Sequence, residues 1–476
     1  MMTITNNNFL FKTDSYKIGH WPDYPQEAAT IESYFESRVG ATFPNTVFFG
    51  LQKILQSMAG QVVFQDDIYE AKEMAEEHFC GDKEVFNYEG WMDIYRRYEG
   101  RLPIEIMAVP EGTPVPADNL LMRARNTDDK HPWLTNWLES KLTHIWYPSA
   151  VASLSRCVKQ DLKEWLVKTA DTLNALPFML NDFGYRGATT DEAAAIGGAG
   201  HLVNFLGTDT PVAMELAHDS YYAPWKGLGY SVRATEHSIM TQRGRDGEDS
   251  LVRDLITQHD TGILSLVIDS YDPYNFVDNI IPKYRDLILN RKPNKFGIAK
   301  VVLRPDSKTP QHKLPGDQVV YILRSLARNF GCTINKKGYD VLNPYVGALW
   351  GDGIDRQGIN DICQKVEEYD WSVENLVFGM GGGLLQKVNR DTQRSAFKCC
   401  ARKDKDGTWT DIFKDPLDKS KASKRGRLKL IKTDGKYYTC GLDDNGFPDQ
   451  LKTVFKNGYL TKEYTFDKVR RNAELL

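Results

Sequence analysis

Little in this chain of 476 residues points to a membrane, a secreted scaffold or a nucleic-acid binder. No run approaches the ~18 consecutive apolar residues that cross a bilayer, and the opening MMTITNNNFLFKTDSYK lacks a basic segment followed by a long apolar core. Cysteine is sparse: the seven are scattered, form no CxxC, and include one adjacent pair, Cys399 and Cys400, a poor disulfide, so a reducing, cytoplasmic setting is expected. A net charge of only -4 provides no drive toward nucleic acid or anionic lipid. The nine histidines form no HExxH, no serine sits in a GxSxG elbow, and no GK[ST] closes a glycine loop. Those absences remove zincins, α/β-hydrolases and P-loop nucleotidases.

What is present is a globular composition, 41% hydrophobic and 11% aromatic, enough for one large domain with a smaller one beside it, or for two. From about residue 175 to 385, short apolar runs recur and end in an acid or a glycine cluster: PFMLNDFGYRG at Asp182, HLVNFLGTD at Asp209, ILSLVIDSYD at Asp269, AKVVLRPDS at Asp306, VGALWGDG at Asp352 and NLVFGMGGG at Gly381 to Gly383. Stretches such as DNIIPKYRDLILNRK and GINDICQKVEEYD carry apolar residues at helical spacing between them. Strand and helix alternate, so an α/β fold with a parallel, closed or nearly closed sheet is expected, its function gathered at the carboxyl ends of the strands. The flanks differ. Helical DDIYEAKEMAEEHF and strand-like PIEIMAVPEGTPV precede the repeat, and two hairpin signals follow it, LKLIKTDGKYYTC and TVFKNGYLTKEYTF, each turning at Asp-Gly or Asn-Gly. The expected division is residues 1–147 and 386–476 together in a mixed α+β domain, with 148–385 forming the barrel.

Several pieces carry chemistry, each with a plainer alternative. The three glycines of VFGMGGGLLQK suit a phosphate cradle at a helix start, or a tight turn. Arg304 and Asp306 of VVLRPDS can hold a phosphate and a hydroxyl or magnesium ion, or pair with each other. Phe183 and Arg186 of DFGYRG can stack a flat ring beside an anion, or make a turn. Asp209 can accept from an amide, or cap a helix. The basic tract DKSKASKRGRLK, 418–429, is a solvated loop or a screen for substrate phosphates. His237, in GYSVRATEHSIM, has no helical or strand periodicity around it, so packing alone does not account for an ionisable ring there.

Together TDSYKIGHW, SYFESR, VFFGLQ, DFGYRG, HLVNFLGTDT, GYSVRATEHS, DSYDPYN, RPDS, GDGID, FGMGGGLLQK, FKDP and VFKNG closely resemble the nicotinamide phosphoribosyltransferases, in order, from about Thr13 to Ala473. The resemblance implies a type II phosphoribosyltransferase fold and a homodimer whose two active sites are shared between subunits. It implies transfer of the phosphoribosyl group of 5-phosphoribosyl-1-pyrophosphate to nicotinamide, giving nicotinamide mononucleotide and pyrophosphate for NAD salvage. By the same resemblance, Phe183 and the partner's Tyr16 sandwich the ring, Asp209 accepts from the carboxamide and Ser265 lies near it. Arg186, with Arg38, Arg390 and Lys398 from across the dimer, holds the 5-phosphate beside Gly382 and Gly383. Arg304 and Asp306 face ribose and pyrophosphate, Asp352 and Gly353 the ribose hydroxyls, and Asp306 reaches Mg2+ through water. Asp269 steadies the reacting carbon. His237 is the residue phosphorylated by ATP as co-substrate, with Glu236 or Asp269 expected to hold its other ring nitrogen.

Four positions depart from the family pattern. Asn181 stands where a histidine is usual, and Ala396 replaces a phosphate-binding serine. Lys308 replaces glycine and adds a cation near the pyrophosphate, and Met380 replaces a small residue and is expected to narrow the glycine loop. Two other readings remain: a nicotinate phosphoribosyltransferase, disfavoured by an acid at 209, and a non-catalytic nucleotide-binding or signalling protein on the same barrel.

Overall fold

The computed structural model describes residues 8–417, 422–444 and 446–475. Its centre is a seven-stranded parallel sheet ordered Gly207–Thr208, Leu180–Asp182, Leu376–Met380, Val346–Trp350, Lys300–Arg304, Ile263–Val267 and Arg233–Ala234. A parallel bridge between Gly207 and Tyr230 joins the first strand to the segment leading into the last, so the sheet curls back on itself. Its strands read as apolar runs because the layer is covered by helices: Val301, Leu303, Ala348, Leu376 and Phe378 are all buried.

The crossover helices follow from their patterns. Arg356–Glu368 buries Ile359, Ile362, Cys363 and Val366, one stripe at helical spacing, and starts where Asp355 accepts from the Gly358 amide at 3.1 Å. Pro315–Phe330 begins with proline, which needs no amide partner there, and ends at Gly331 with φ 88°. Each fully buried aliphatic side chain in these stripes contributes about 1.5 to 3 kcal/mol. An acid at Ile359 would remove that and bury a charge.

The second layer is an antiparallel seven-stranded sheet drawn from both chain ends: Trp409–Asp411, Ser395–Asp404, Ala28–Ser37, Asn119–Asn126, Ile104–Ala108, Lys452–Lys456 and Tyr459–Leu460. Both hairpin signals form, at Asp434–Gly435 (φ 48° and 77°) and Asn457–Gly458 (φ 50° and 85°), the left-handed pairs that match strand twist. The core of this sheet also takes in Leu202, Ala213, Leu216 and Tyr221 from helices Asp191–Leu202 and Pro211–Tyr221, so the two layers share apolar surface.

One strand expectation is corrected. In HLVNFLGTD only Gly207 and Thr208 are strand, because His201–Phe205 completes the preceding helix and its turn. All seven cysteines are free, and no helix among the described residues is long and apolar enough to cross a membrane.

Candidate active site

Each strand of the curled sheet delivers its acid or glycine to the same end. Parallel pairing sets this: Met380 is level with Asp182, Asp182 with Thr208, and Arg304 with Val267, so the residues just beyond them converge. Phe183, Arg186, Asp209, His237, Asp269, Arg304, Asp306, Asp352 and Gly381–Gly383 all follow or end these strands.

The Phe183 ring lies over a strand made bare for it. A Cβ on Gly379 would sit 2.0 Å from Phe183 Cε2, and one on Gly351 would sit 3.5 Å away, so two glycines form the ring's seat. The Arg304 guanidinium lies 5.9 Å from the ring centre. Asp209, exposed, accepts from the Ser231 hydroxyl, which fixes its carboxylate and leaves oxygen free to face a ligand. Its own amide donates to the Asp182 carbonyl at 2.9 Å. Ser265 is buried, and its hydroxyl has no partner among the described residues. Asn181, level with Gly379 and Gly207, donates weakly to the Phe178 and Phe378 carbonyls, at 3.4 and 3.3 Å.

His237 stands in the first turn after Arg233–Ala234, half-exposed. Its Nδ1 meets Ser270 Oγ at 2.9 Å, while Nε2 lies 3.8 Å from a carboxylate oxygen of both Asp269 and Asp306. The expectation that Glu236 holds the ring is overturned: Glu236 accepts from Ser238. Its side chain is turned back along its own chain segment by that short local hydrogen bond, leaving Ser270 as the ring's partner. Asp269 is almost fully buried. One of its oxygens accepts from the Asp306 amide at 3.0 Å and from Ser307, while the other has no hydrogen-bond partner among the described residues. Arg304 donates to the Thr235 carbonyl at 2.9 Å, and its Nε is buried without a partner among the described residues. Burial, then Asp306 and Asp269, pushes the Asp352 carboxyl above its ordinary value, with Lys308 opposing. The mouth therefore concentrates negative charge that a cation would relieve.

Gly381 leads into the single helical turn Gly382–Leu385, and Gly382 is exposed with open space where a Cβ would be. Side chains at 383 are excluded, since a Cβ there would approach the Ile354 carbonyl to 2.4 Å. The narrowing expected from Met380 does not occur: Met380 is fully buried beneath Gly383, because the last strand residue alternates into the core. Gly353, with φ 54°, turns the chain after Asp352. Arg186 is exposed and makes no hydrogen bond or ion pair among the described residues.

The remaining cations lie elsewhere. Arg38, at the end of Ala28–Ser37, donates to the Arg394 carbonyl at 3.2 Å, and Lys398 faces Tyr34 in the same sheet. Burial holds the Lys398 ammonium below its usual value, Glu139 opposing and Arg38, Lys414 and Arg390 adding to the effect, so these groups form one under-neutralised cluster. Tyr16, 59% exposed, stands edge-on to His20 at 5.2 Å. No hydrogen bond or ion pair ties these four residues to the mouth among the described residues. Ala396 is buried opposite Glu36, and Ser395 is buried opposite Ser37. Residues 418–421 of the basic tract fall outside the described residues. The rest is fastened, Lys424 reaching Glu36 and Asp118 at 2.5 and 2.6 Å and Arg427 lying 4.7 Å from the Trp409 ring.

Sequence reasoning missed Gly379, Ser231 and Ser270, and gave Asp182 no role beyond that of a strand-end acid. Ser231 was legible as part of the His237 stretch, but nothing in the sequence tied it to Asp209.

Comparison with known proteins places the chain in a family. Residues 178–459 match the nicotinate phosphoribosyltransferase (NAPRTase) family and residues 8–106 match the nicotinamide phosphoribosyltransferase N-terminal domain. The chain is 42% identical to a nicotinamide phosphoribosyltransferase of Xanthomonas campestris, over 98% of both chains. It is 31% identical to one of Acinetobacter baylyi, over 98% of this chain and 96% of that one. The fold is shared with nicotinate-nucleotide pyrophosphorylase of Pyrococcus furiosus (TM-score 0.59, 12% identity, 99% of this chain and 96% of that one). It is shared too with human nicotinic acid phosphoribosyltransferase (TM-score 0.55, 13% identity, 97% and 92% covered). The chain belongs to the nicotinate phosphoribosyltransferase family and is a phosphoribosyl-transferring enzyme with the N-terminal domain of the nicotinamide branch.

Proposed function

We propose that this enzyme joins nicotinamide to 5-phosphoribosyl-1-pyrophosphate, forming nicotinamide mononucleotide and pyrophosphate in NAD salvage. The observation that carries the choice of base is Asp209, an exposed carboxylate held by Ser231; the Asp209 amide donates to the carbonyl of Asp182, the residue before Phe183. It accepts from the carboxamide NH2, whereas the like charge of nicotinate meets repulsion there. Phe183 stacks on one face of the ring, and such contacts contribute ~0.5 to 1.5 kcal/mol beyond area burial.

In the reaction the ring nitrogen forms a bond to the ribose carbon as the bond from that carbon to pyrophosphate breaks. Arg304, with an unpartnered Nε, meets the departing pyrophosphate. Asp269, with a bare buried oxygen near the mouth, stabilises the positive charge that develops on the sugar. The exposed amides around Gly382, with Arg186 beside them, receive the 5-phosphate. Asp306, whose charge helps push the neighbouring Asp352 carboxyl up, would hold a Mg2+ through water at this mouth. Bound there, the ion would supply charge neutralisation to the leaving group.

The cluster of Arg38, Arg390 and Lys398, with exposed Tyr16, supports a homodimer in which the partner completes each mouth. A groove of about 880 Å³, lined in part by Lys141, Tyr147, Glu192, Ile196 and Gln386, lies beside the glycine turn and suits a second copy. His237 is read as the site of phosphorylation by ATP: Nδ1 is held by Ser270, leaving the half-exposed Nε2 for the γ-phosphoryl group.

The test is product formation by the purified protein with Mg2+ and 5-phosphoribosyl-1-pyrophosphate, offered nicotinamide or nicotinate, each with and without ATP. Nicotinamide mononucleotide, increased by ATP, is expected. Preference for nicotinate would overturn the role of Asp209, and no product from either base would favour a binding protein.

A further inference from the structure

Asp182 is a fully buried acid at the base of the mouth that the mechanism leaves without a task, and two hydrogen bonds converge on it. It ends the strand Leu180–Asp182, so the next residue is Phe183 itself. Its Oδ1 accepts from the Gly184 amide at 2.7 Å, closing the turn that carries Phe183 and Arg186. Its backbone carbonyl accepts from the Asp209 amide at 2.9 Å. Space for the carboxyl is built in: a Cβ on Gly198 of the adjoining helix would lie 2.9 Å from Oδ2. That Oδ2 makes no well-formed hydrogen bond, nor does the Thr210 hydroxyl within its electrostatic reach.

We propose that Asp182 is the positioning residue of the base pocket, coupling the stacking ring of Phe183 to the amide acceptor Asp209 through its side chain and its carbonyl. It touches no substrate. A carboxylate takes the Gly184 amide in a charge-assisted bond, stronger than the bond of a neutral acceptor, so the ionised form holds the turn more firmly. Burial, opposed by Gly184 and Thr210 and reinforced by Asp209, pushes the carboxyl up to about 6. Tyr147, on the helix Trp146–Thr169, also feels its charge. Ionisation therefore occurs within the working pH range, and the pocket tightens as pH rises through it.

The inference rests on the proposed use of nicotinamide, and the experiment separates the two. Steady-state KM and kcat for nicotinamide are measured from pH 5 to 8 for wild type, Asp182→Asn and Asp182→Ala. Wild-type KM is expected to fall about fivefold as pH rises through 6, the fold-change of roughly one hydrogen bond's worth of free energy. Asp182→Asn keeps an acceptor for Gly184 but cannot ionise, so its KM stays flat across that window, near the low-pH wild-type value. Asp182→Ala raises KM about tenfold with kcat changed less than about threefold, because the pocket loosens while Arg304 and Asp306 stay in place. A pH-dependent KM retained in Asp182→Asn overturns the proposal, as does an alanine variant that loses kcat at unchanged KM. Should the alanine variant fail to fold, the asparagine pH profile decides alone. Wild-type protein that makes no mononucleotide from nicotinamide overturns the functional reading instead, and the same comparison with nicotinate then tests Asp182.

Discussion

Replacing Gly379 with alanine puts a methyl group into the seat of Phe183. The new Cβ would lie 2.0, 2.2 and 2.8 Å from Cε2, Cδ2 and Cζ of the ring. Normal carbon contacts begin near 3.5 Å, so the ring edge must retreat by roughly 1.5 Å. It cannot do so freely, because its main chain is pinned by the Phe183 amide to the Met380 carbonyl at 3.0 Å and by the Gly184 turn. Overpacking of this kind costs about 1 to 3 kcal/mol of stability. Lost stacking raises the KM for nicotinamide by roughly two- to twelvefold, the equivalent of ~0.5 to 1.5 kcal/mol. The decisive arm is the double variant: in a Phe183→Ala background the clash partner is gone, so Gly379→Ala should cost little further stability and no further affinity. Thermal unfolding and steady-state kinetics of the four proteins make the cycle. Equal penalties with and without the Phe183 ring would refute the seat and place the role of Gly379 in its backbone.

Asp209→Asn removes the like-charge repulsion at an exposed site, and should shift the nicotinamide-to-nicotinate ratio of kcat/KM toward nicotinate by roughly five- to thirtyfold, about 1 to 2 kcal/mol; an unchanged ratio contradicts the pocket assignment. His237→Ala should keep basal synthesis and lose stimulation by ATP, read as product formed with and without ATP; intact stimulation would move phosphorylation elsewhere. Mixing Asp306→Ala with Lys398→Ala protein should restore about a quarter of wild-type activity, since half the dimers are mixed and each has one intact site, and no recovery speaks against shared sites. His201 is fully buried between Ser155 Oγ and the Gly207 carbonyl, each at 3.0 Å, and burial lowers it to about 4. With the folded value below the unfolded one, its stabilising effect is complete above about pH 6.5 and is lost as pH falls toward 4, on the order of 3 kcal/mol. Denaturant unfolding of His201→Gln should show a shallower acid-side decline than wild type.

The alternation of apolar runs with helical stretches was legible because a parallel sheet buried on both faces needs continuous Val, Leu and Ile, and its covering helices need a single stripe. Both hairpins were legible from Asp-Gly and Asn-Gly, since few other pairs tolerate two left-handed residues in a row. His201–Phe205 misread as strand because a buried helix end is as apolar as a buried strand, and five residues are too few for periodicity to separate them. Glu236 misled through adjacency. An acid next to a histidine in sequence need not face it, and a serine one residue beyond captured the carboxylate.

The sequence by itself determined which residue types stand at the strand ends, because residue identity and the order of elements are properties of the chain: Asp182, Asp209, Asp269, Asp306, Asp352 and three glycines each follow an apolar run. It also determined the family, since motifs over nearly the whole chain repeat those of its relatives. Only the tertiary structure decided that Gly379 is a seat, that Ser231 rather than a backbone amide steadies Asp209, and that the acids gather around His237 at 3.8 Å. It alone also set Arg38, Arg390 and Lys398 near one another at and beside the second sheet, with Glu139 opposing their mutual repulsion. The reason is register: which side chains meet depends on how strands far apart in the chain align, and a shift of one residue would turn each of them to the opposite face.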